Sequence, residues 1–188
     1  MTDEVREIRE HAVVTADGVE RPVDAIILGT GFAVQDMVPR GMIHGRGGHD
    51  LWDVWQRGSE AYAGTTVSGF PNLFMLLGPN TGLGHSSQIY MIESQLAYVI
   101  DALRQMRSKA WRAVEVRADV QRAFNDSLQR NVSGAIWNSG GCKSWYLDSR
   151  GRNTTIWPGF TFMFRRKTRQ FIASEYRCER ETALATPR

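Results

Sequence analysis

Hydrophobic and polar positions change period several times along the chain, and each change marks a boundary. Val13 and Val14 run into Asp17-Gly18, a pair suited to the tight turn of a two-stranded hairpin, and the chain returns through Val23 to Ala25-Ile26-Ile27-Leu28. This pattern predicts a β-hairpin that delivers a buried strand. The strand ends at Gly29-Thr30-Gly31-Phe32, where two glycines lack the Cβ atoms that would keep a ligand or a second backbone at a distance. From Ala33 to Gly69 no period is sustained, and the Gly-rich and Trp-rich pieces predict loops and short turns packed by Trp52 and Trp55. Leu73-Phe74-Met75-Leu76-Leu77 is a second unbroken apolar run, the pattern of a strand buried on both faces, and it stops at Gly78-Pro79-Asn80.

Helical period then takes over. Ile89, Ile92, Leu96, Ile100 and Leu103 recur at three- and four-residue spacing, which predicts a helix over about residues 87 to 107 with that stripe as its buried face, and with Ser86 or Ser87 as N-cap. Ala113 to Arg117 predicts a short strand. Asp119 then caps a second helix carrying Val120, Phe124 and Leu128 on one face. Residues from Asn131 to about Pro158 predict a glycine- and tryptophan-rich loop, Phe160 to Tyr176 a further helix, and the last dozen residues a frayed tail.

Composition narrows the setting more than the chemistry. With 188 residues, 42% hydrophobic and 23% charged, the chain is ordinary for one globular unit and unlike a disordered or fibrous one. Cys142 and Cys178 stand far apart with no CxxC pair, which supports neither a disulfide framework nor a cysteine-rich zinc site. A charged start and the lack of any long apolar run predict a protein without signal peptide or membrane span, placed in the cytoplasm. The net charge of +3 is small, but Arg150, Arg152, Arg165, Arg166, Lys167, Arg169, Arg177 and Arg180 gather the excess in one stretch. That stretch reads as a solvated face, and no nucleic-acid binding is assigned to it.

The chemistry-bearing segment is GPNTGLGHSS. It joins an apolar run to a helix N-terminus, so free backbone N–H groups and the positive end of the helix dipole converge where an anion or a carbonyl oxygen can sit. Gly78, Gly82 and Gly84 either clear a ligand's approach or serve a tight turn, and the pattern leaves both open. No GxGxxG, P-loop, GxSxG or HExxH frame is complete, and the four histidines share no helix face, so no metal site and no catalytic residue is assigned. Cys142 beside Lys143 is a thiol whose activation the sequence does not establish. Trp137, Trp145, Tyr146 and Trp157 interleave with polar and glycine residues, as in a segment that packs on a core or walls a binding site.

Three segments together resemble one family. DAIILGTGF (24–32), GFPNLFMLLGPNTGLGHSS (69–87) and GGCKSWYLDSRGRNTTIWPGF (140–160) are similar, in order and spacing, to the C-terminal part of flavin-dependent Baeyer–Villiger monooxygenases. The resemblance implies an α/β fold: a partial FAD/NAD(P)-binding, Rossmann-like domain with a closing β-hairpin, central strands, a long helix and a C-terminal helical and loop cap. It divides the chain into 1–110, the C-terminal portion of the FAD-binding domain, and 111–188, the substrate-side cap. It places Gly29, Thr30, Gly31 and Phe32 at the strand-end turn beside FAD. Gly78, Asn80, Leu83, Gly84, His85, Ser86 and Ser87 fall at the flavin ring edge, and Trp145 near the nicotinamide cofactor and substrate.

The implied parent enzyme uses NADPH to reduce FAD, captures dioxygen as a C4a-peroxyflavin, and oxygenates a small molecule such as a ketone, or a heteroatom. The family's two GxGxxG motifs, its FxGxxxHxxx[WP] signature and its arginine near the flavin have no counterpart here. The expectation is therefore a partial enzyme, inactive alone and completed by an N-terminal half in cis or in trans, with self-association through exposed sheet. The alternative is a non-catalytic truncated chain.

Overall fold

The computed structural model describes residues 3–29, 38–83, 86–134, 146–148 and 150–180. Two compact units divide the chain, residues 1–32 and residues 33–188. In the first, β1 (Val5–Ile8), β2 (Ala12–Thr15) and β3 (Glu20–Pro22) form an antiparallel sheet with β2 in the middle, in register Val14 to Glu20 and Ala12 to Pro22. The Asp17-Gly18 signal holds: Gly18 takes φ +79°, and the Asp17 carboxylate accepts from the Thr15 hydroxyl at 2.6 Å and the Val19 N–H at 3.0 Å. Those two bonds, the hydroxyl first, hold Asp17 below the ordinary carboxylate range.

The buried strand predicted at 25–28 is not present. Residues 24–29 form no strand, Ile27 is 94% exposed and Leu28 77%. A strand exists only when a neighbour takes its backbone hydrogen bonds, and no described strand pairs with this segment. The run at 73–77 fails similarly: it is an irregular segment whose Leu76 and Leu77 are exposed, and Leu77 adopts φ +56°, outside any strand.

The second unit carries α1 (Leu51–Trp55), α2 (Gln88–Ser108), β4 (Trp111–Val116), α3 (Ala118–Val132), α4 (Thr161–Lys167) and β5 (Tyr176–Arg180). Strands β4 and β5 pair antiparallel, Val114 opposite Cys178 and Val116 opposite Tyr176. The helix predicted over 160–176 is thus one short helix, a 3-10 turn at Ala173–Glu175 and the start of a strand; β5 also takes in part of the expected tail. The core gathers Tyr62, Tyr98, Ala102, Val114, Val116, Phe171 and Tyr176, with Val120 and Phe124 of α3 packed against it. Its phenols are satisfied internally: Tyr98 and Tyr176 hydroxyls lie 2.7 Å apart and Tyr176 meets the Thr66 hydroxyl at 2.9 Å. Helix α3 is capped at Arg117 without a side-chain bond, and Asp119 sits in its first turn, bonded to the Arg117 guanidinium at 3.1 Å.

Helix α2 is where predicted, but its buried face is not. Met91, Ser94, Gln95, Tyr98 and Ala102 face the core, whereas Ile89, Leu96, Ile100 and Leu103 are 41 to 67% exposed. The stronger apolar stripe points away from the core that the described residues of this unit form.

A second cluster, Leu51, Ala61, Val67 and Phe70, with Trp55 packed against it, is organised by Asp50. Its carboxylate caps α1 by accepting from the Trp52 N–H at 3.0 Å and also accepts from the Gly41 N–H. Burial works to raise its pKa, but the two amides, with the charges of His44 and Arg40, hold it below the ordinary range. A depressed carboxylate contributes stability above its unfolded pKa and loses it as the pH falls through the folded value. Urea midpoints of the wild type and Asp50→Asn are therefore expected to differ most at pH 6 and to converge from about pH 4 downward.

Among the described residues, no helix is long and apolar enough to cross a membrane, and no three His, Cys, Asp or Glu side chains gather as a metal site. Burial, the largest cause, pushes the Cys178 thiol up, against a reactive role.

Candidate functional site

The segment from Gly78 into α2 is built by two stretches of chain lying side by side. The Asn80 N–H donates to the Thr154 carbonyl at 2.8 Å, the Gly82 N–H to the Thr155 carbonyl at 2.8 Å, and the Trp157 N–H returns to the Gly82 carbonyl at 2.9 Å. Asn80 takes φ +57°, a conformation asparagine tolerates better than most residues, and is 3% exposed. Its side-chain amide donates to the carbonyls of Asn153 at 2.8 Å and Ile156 at 3.1 Å, so it locks the turn to residues 153–156. The Thr81 hydroxyl donates to the Gly78 carbonyl at 2.7 Å, and Gln88, the first residue of α2, donates to the Thr81 carbonyl at 3.0 Å.

Two of the glycines resolve one alternative the sequence left open. A Cβ on Gly78 would fall on the Gly64 carbonyl, and a Cβ on Gly82 would come within 2.8 Å of the Thr155 carbonyl. Both glycines make room for this chain's own backbone. Gly29 differs: a Cβ there meets nothing within 4 Å.

Beyond the turn, Leu83 is half-buried and Ser86 and Ser87 are exposed. Ser87 is the N-cap of α2, in extended conformation but with no side-chain bond to the helix, and the first turn holds no acid. A 21-residue helix thus begins with donors not taken up by a cap and its dipole uncompensated, a geometry that receives an anion or a polarised carbonyl oxygen. Of the predicted site residues, Gly78, Asn80, Leu83, Ser86 and Ser87 lie along this one segment, whereas Gly29 belongs to the first unit. Thr30, Gly31, Phe32, Gly84, His85 and Trp145 lie outside the described residues, as do Trp137, Cys142 and Lys143.

Two residues that shape this region carried no sequence signal. Gln95, fully buried on α2, donates to the Gly64 carbonyl at 2.9 Å and the Thr65 hydroxyl at 3.0 Å, and accepts from the Leu77 N–H at 3.0 Å. Asn153, also fully buried, accepts on its side-chain oxygen from the N–H groups of Thr155 at 3.2 Å and Ile156 at 2.9 Å. Both are polar residues inside stretches whose period or glycine content pointed elsewhere.

No family model matches the sequence. Among curated proteins, a Baeyer–Villiger monooxygenase of Pseudomonas aeruginosa is 55% identical over 177 residues, 94% of this chain and 34% of its own length. A Baeyer–Villiger monooxygenase of Streptomyces coelicolor is 48% identical over 171 residues, 90% of this chain and 33% of its own. The chain spans about a third of the length of these relatives. Among solved structures, cyclohexanone monooxygenase from Rhodococcus sp. Phi1 bound to NADP+ shares the fold at TM-score 0.73 and 23% identity, over 95% of this chain and 34% of that one. An oxidized steroid monooxygenase bound to NADP shares it at TM-score 0.69 and 21% identity, over 95% of this chain and 34% of that one. With the three segments in order and such identity across nearly its whole length, the chain belongs with the Baeyer–Villiger monooxygenases, as a C-terminal part of such a protein.

Proposed function

We propose that this chain supplies the C-terminal part of an FAD- and NADPH-dependent monooxygenase that oxygenates a ketone or a heteroatom, and that it turns over only when completed by the N-terminal part, in cis or in trans. The observation that carries this reading is the 55% identity to a Baeyer–Villiger monooxygenase across 94% of the chain. Residues 1–110 then contribute to a Rossmann-like FAD-binding domain and 111–188 to its cap. When bound, FAD reduced by NADPH supplies the oxygenating chemistry. The start of α2 fits such a group, because its donors have no side-chain cap and no acid in the first turn repels a flavin carbonyl or phosphate. Ser86 and Ser87 would border it, while Gly78 and Asn80 hold the turn that aims the helix at it. By resemblance, Gly84, His85 and Trp145 also belong to this proposed site, and Thr30, Gly31 and Phe32 to a strand-end turn beside FAD.

The exposed stripe of Ile89, Leu96, Ile100 and Leu103 supports the second half of the proposal, since contiguous apolar surface marks a face that expects cover. Left alone, the chain is expected to self-associate through it. The test mixes this chain with the N-terminal two-thirds of the Pseudomonas relative and FAD, then reads flavin retained through gel filtration and ketone-dependent NADPH oxidation. Retention and turnover are expected only with both pieces present; an N-terminal piece that performs equally without this chain overturns the proposal. Leu96→Glu with Ile100→Glu is expected to cut reconstitution at least tenfold. The same pair should leave this chain's own stability within about 0.5 kcal/mol, as exposed substitutions do.

A further inference from the structure

We propose that the cleft between α3 and α4 binds a small apolar molecule carrying a single carboxylate, with Lys167 as its counter-ion. The cleft has a volume of about 710 Å³, within the range of pockets that bury a small molecule. Its walls are mostly carbon: Phe124 and Leu128 from α3, Met163 from α4, and the rings of Tyr62, Trp157 and Phe160. None of these is among the candidate cofactor residues.

The polar groups of the cleft decide the ligand's charge. Glu175 keeps its negative charge but is held by the Tyr62 phenol, which donates to it at 2.5 Å, and it forms no ion pair with Lys167. The Lys167 ammonium lies 4.9 Å from the centre of the Tyr62 ring and 5.3 Å from that of Phe124, and among the described residues no carboxylate pairs with it. Ring faces attract a cation but do not neutralise it. An exposed cation at the rim of an aromatic wall, with no described carboxylate on it, therefore offers a partner to an anion that approaches from the side away from Glu175. A second cation is disfavoured because Lys167 already occupies the ring faces, and a phosphate's two charges would meet only one partner beside Glu175. Ser127 and Asn131, on the α3 side, add hydrogen-bonding groups for the ligand's polar end. The apolar body supplies most of the affinity, since a partly exposed ion pair contributes little, and the charge supplies the discrimination.

Calorimetric titration of the 188-residue chain with decanoate, decanol and decyltrimethylammonium, each below its micelle-forming concentration, tests this. Decanoate is expected to bind about tenfold more tightly than decanol, with the ammonium weakest. Lys167→Met should remove that preference while leaving decanol binding in place, and Lys167→Arg should keep it. Ser127→Trp, which fills the cleft, should weaken decanoate and decanol alike, and Leu96→Glu on the exposed stripe of α2, outside the cleft lining, should change neither. Equal binding of decanoate and decanol, a preference that survives Lys167→Met, or binding lost with Leu96→Glu and not with Ser127→Trp would overturn the proposal, the last by placing the probe on α2.

Discussion

Gly78→Ala is expected to destabilise this chain by about 3 kcal/mol or more, in the absence of any cofactor. The added Cβ falls on the carbonyl of Gly64, with the Gly64 carbonyl carbon at 3.1 Å, and neither can swing aside as a side-chain tip would. Gly64 is itself fixed: it takes φ +58°, its own Cβ position faces the Pro79 carbonyl at 2.9 Å, and its carbonyl receives the Gln95 amide. Relief therefore requires the 62–66 turn and the 78–82 turn to separate, which breaks the Asn80 and Thr81 bonds that follow. Thermal unfolding of the 188-residue chain reads the effect directly. Were Gly78 a glycine for the sake of a ligand's approach, alanine would leave the unliganded protein's melting temperature alone and lower only flavin retention. Gly29→Ala is the matched contrast: with no neighbour within 4 Å it is expected to be silent in this chain, and any effect should surface only when the N-terminal part is present.

That contrast also marks how far the sequence could be read. The hairpin at Asp17-Gly18 and the 88–108 helix were legible because their causes are local: a left-handed turn residue in one, a sustained helical period in the other. Which face of α2 is buried was not legible. Burial is decided by what the helix meets, and within this chain it meets Tyr62, Phe171 and Tyr176 through Tyr98 and Ala102, not through its aliphatic stripe. The apolar runs at 25–28 and 73–77 failed for a related reason. Each has the composition of a central strand, but a strand's identity lies in its neighbours, and about two-thirds of the length of the relatives has no counterpart in these residues. The 78–87 segment was found through its glycines, yet Gly78 and Gly82 work against the chain's own carbonyls. The α4 to β5 stretch was misread because its apolar and basic residues carry no period that separates seven helical residues from a turn and a strand. Glu115 carried no signal either: it is 4% exposed in β4 and binds the Arg46 guanidinium and the Gly69 N–H, a pairing across tens of residues.

Gln95→Leu is expected to cost about 3 kcal/mol, although it replaces a polar residue on a buried helix face with an apolar residue of similar size. Propensity and transfer energy both favour leucine there. Against them stand the partners left behind. The Gly64 carbonyl and the Thr65 hydroxyl lose their donor in a region closed to water, at about 1 to 3 kcal/mol for a group left unpaired, and the Leu77 N–H loses its acceptor. Leu77 is the more exposed of the three and recovers part of the loss from solvent, which keeps the sum near the lower end. At roughly 2 to 4 °C per kcal/mol for a chain of this size, the melting temperature should fall by about 10 °C. Gln95→Glu separates hydrogen bonding from shape: it keeps the acceptor for Leu77 but loses the donor to Gly64 and Thr65, and should fall with Gln95→Leu rather than with the wild type. Because the same side chain ties α2 to the 64–77 segment, hydrogen exchange at Thr65 and Leu77 should rise in both variants while that of β4 and β5 stays protected. A melting temperature unchanged by Gln95→Leu would mean that this segment is held by the Asn80 lock alone.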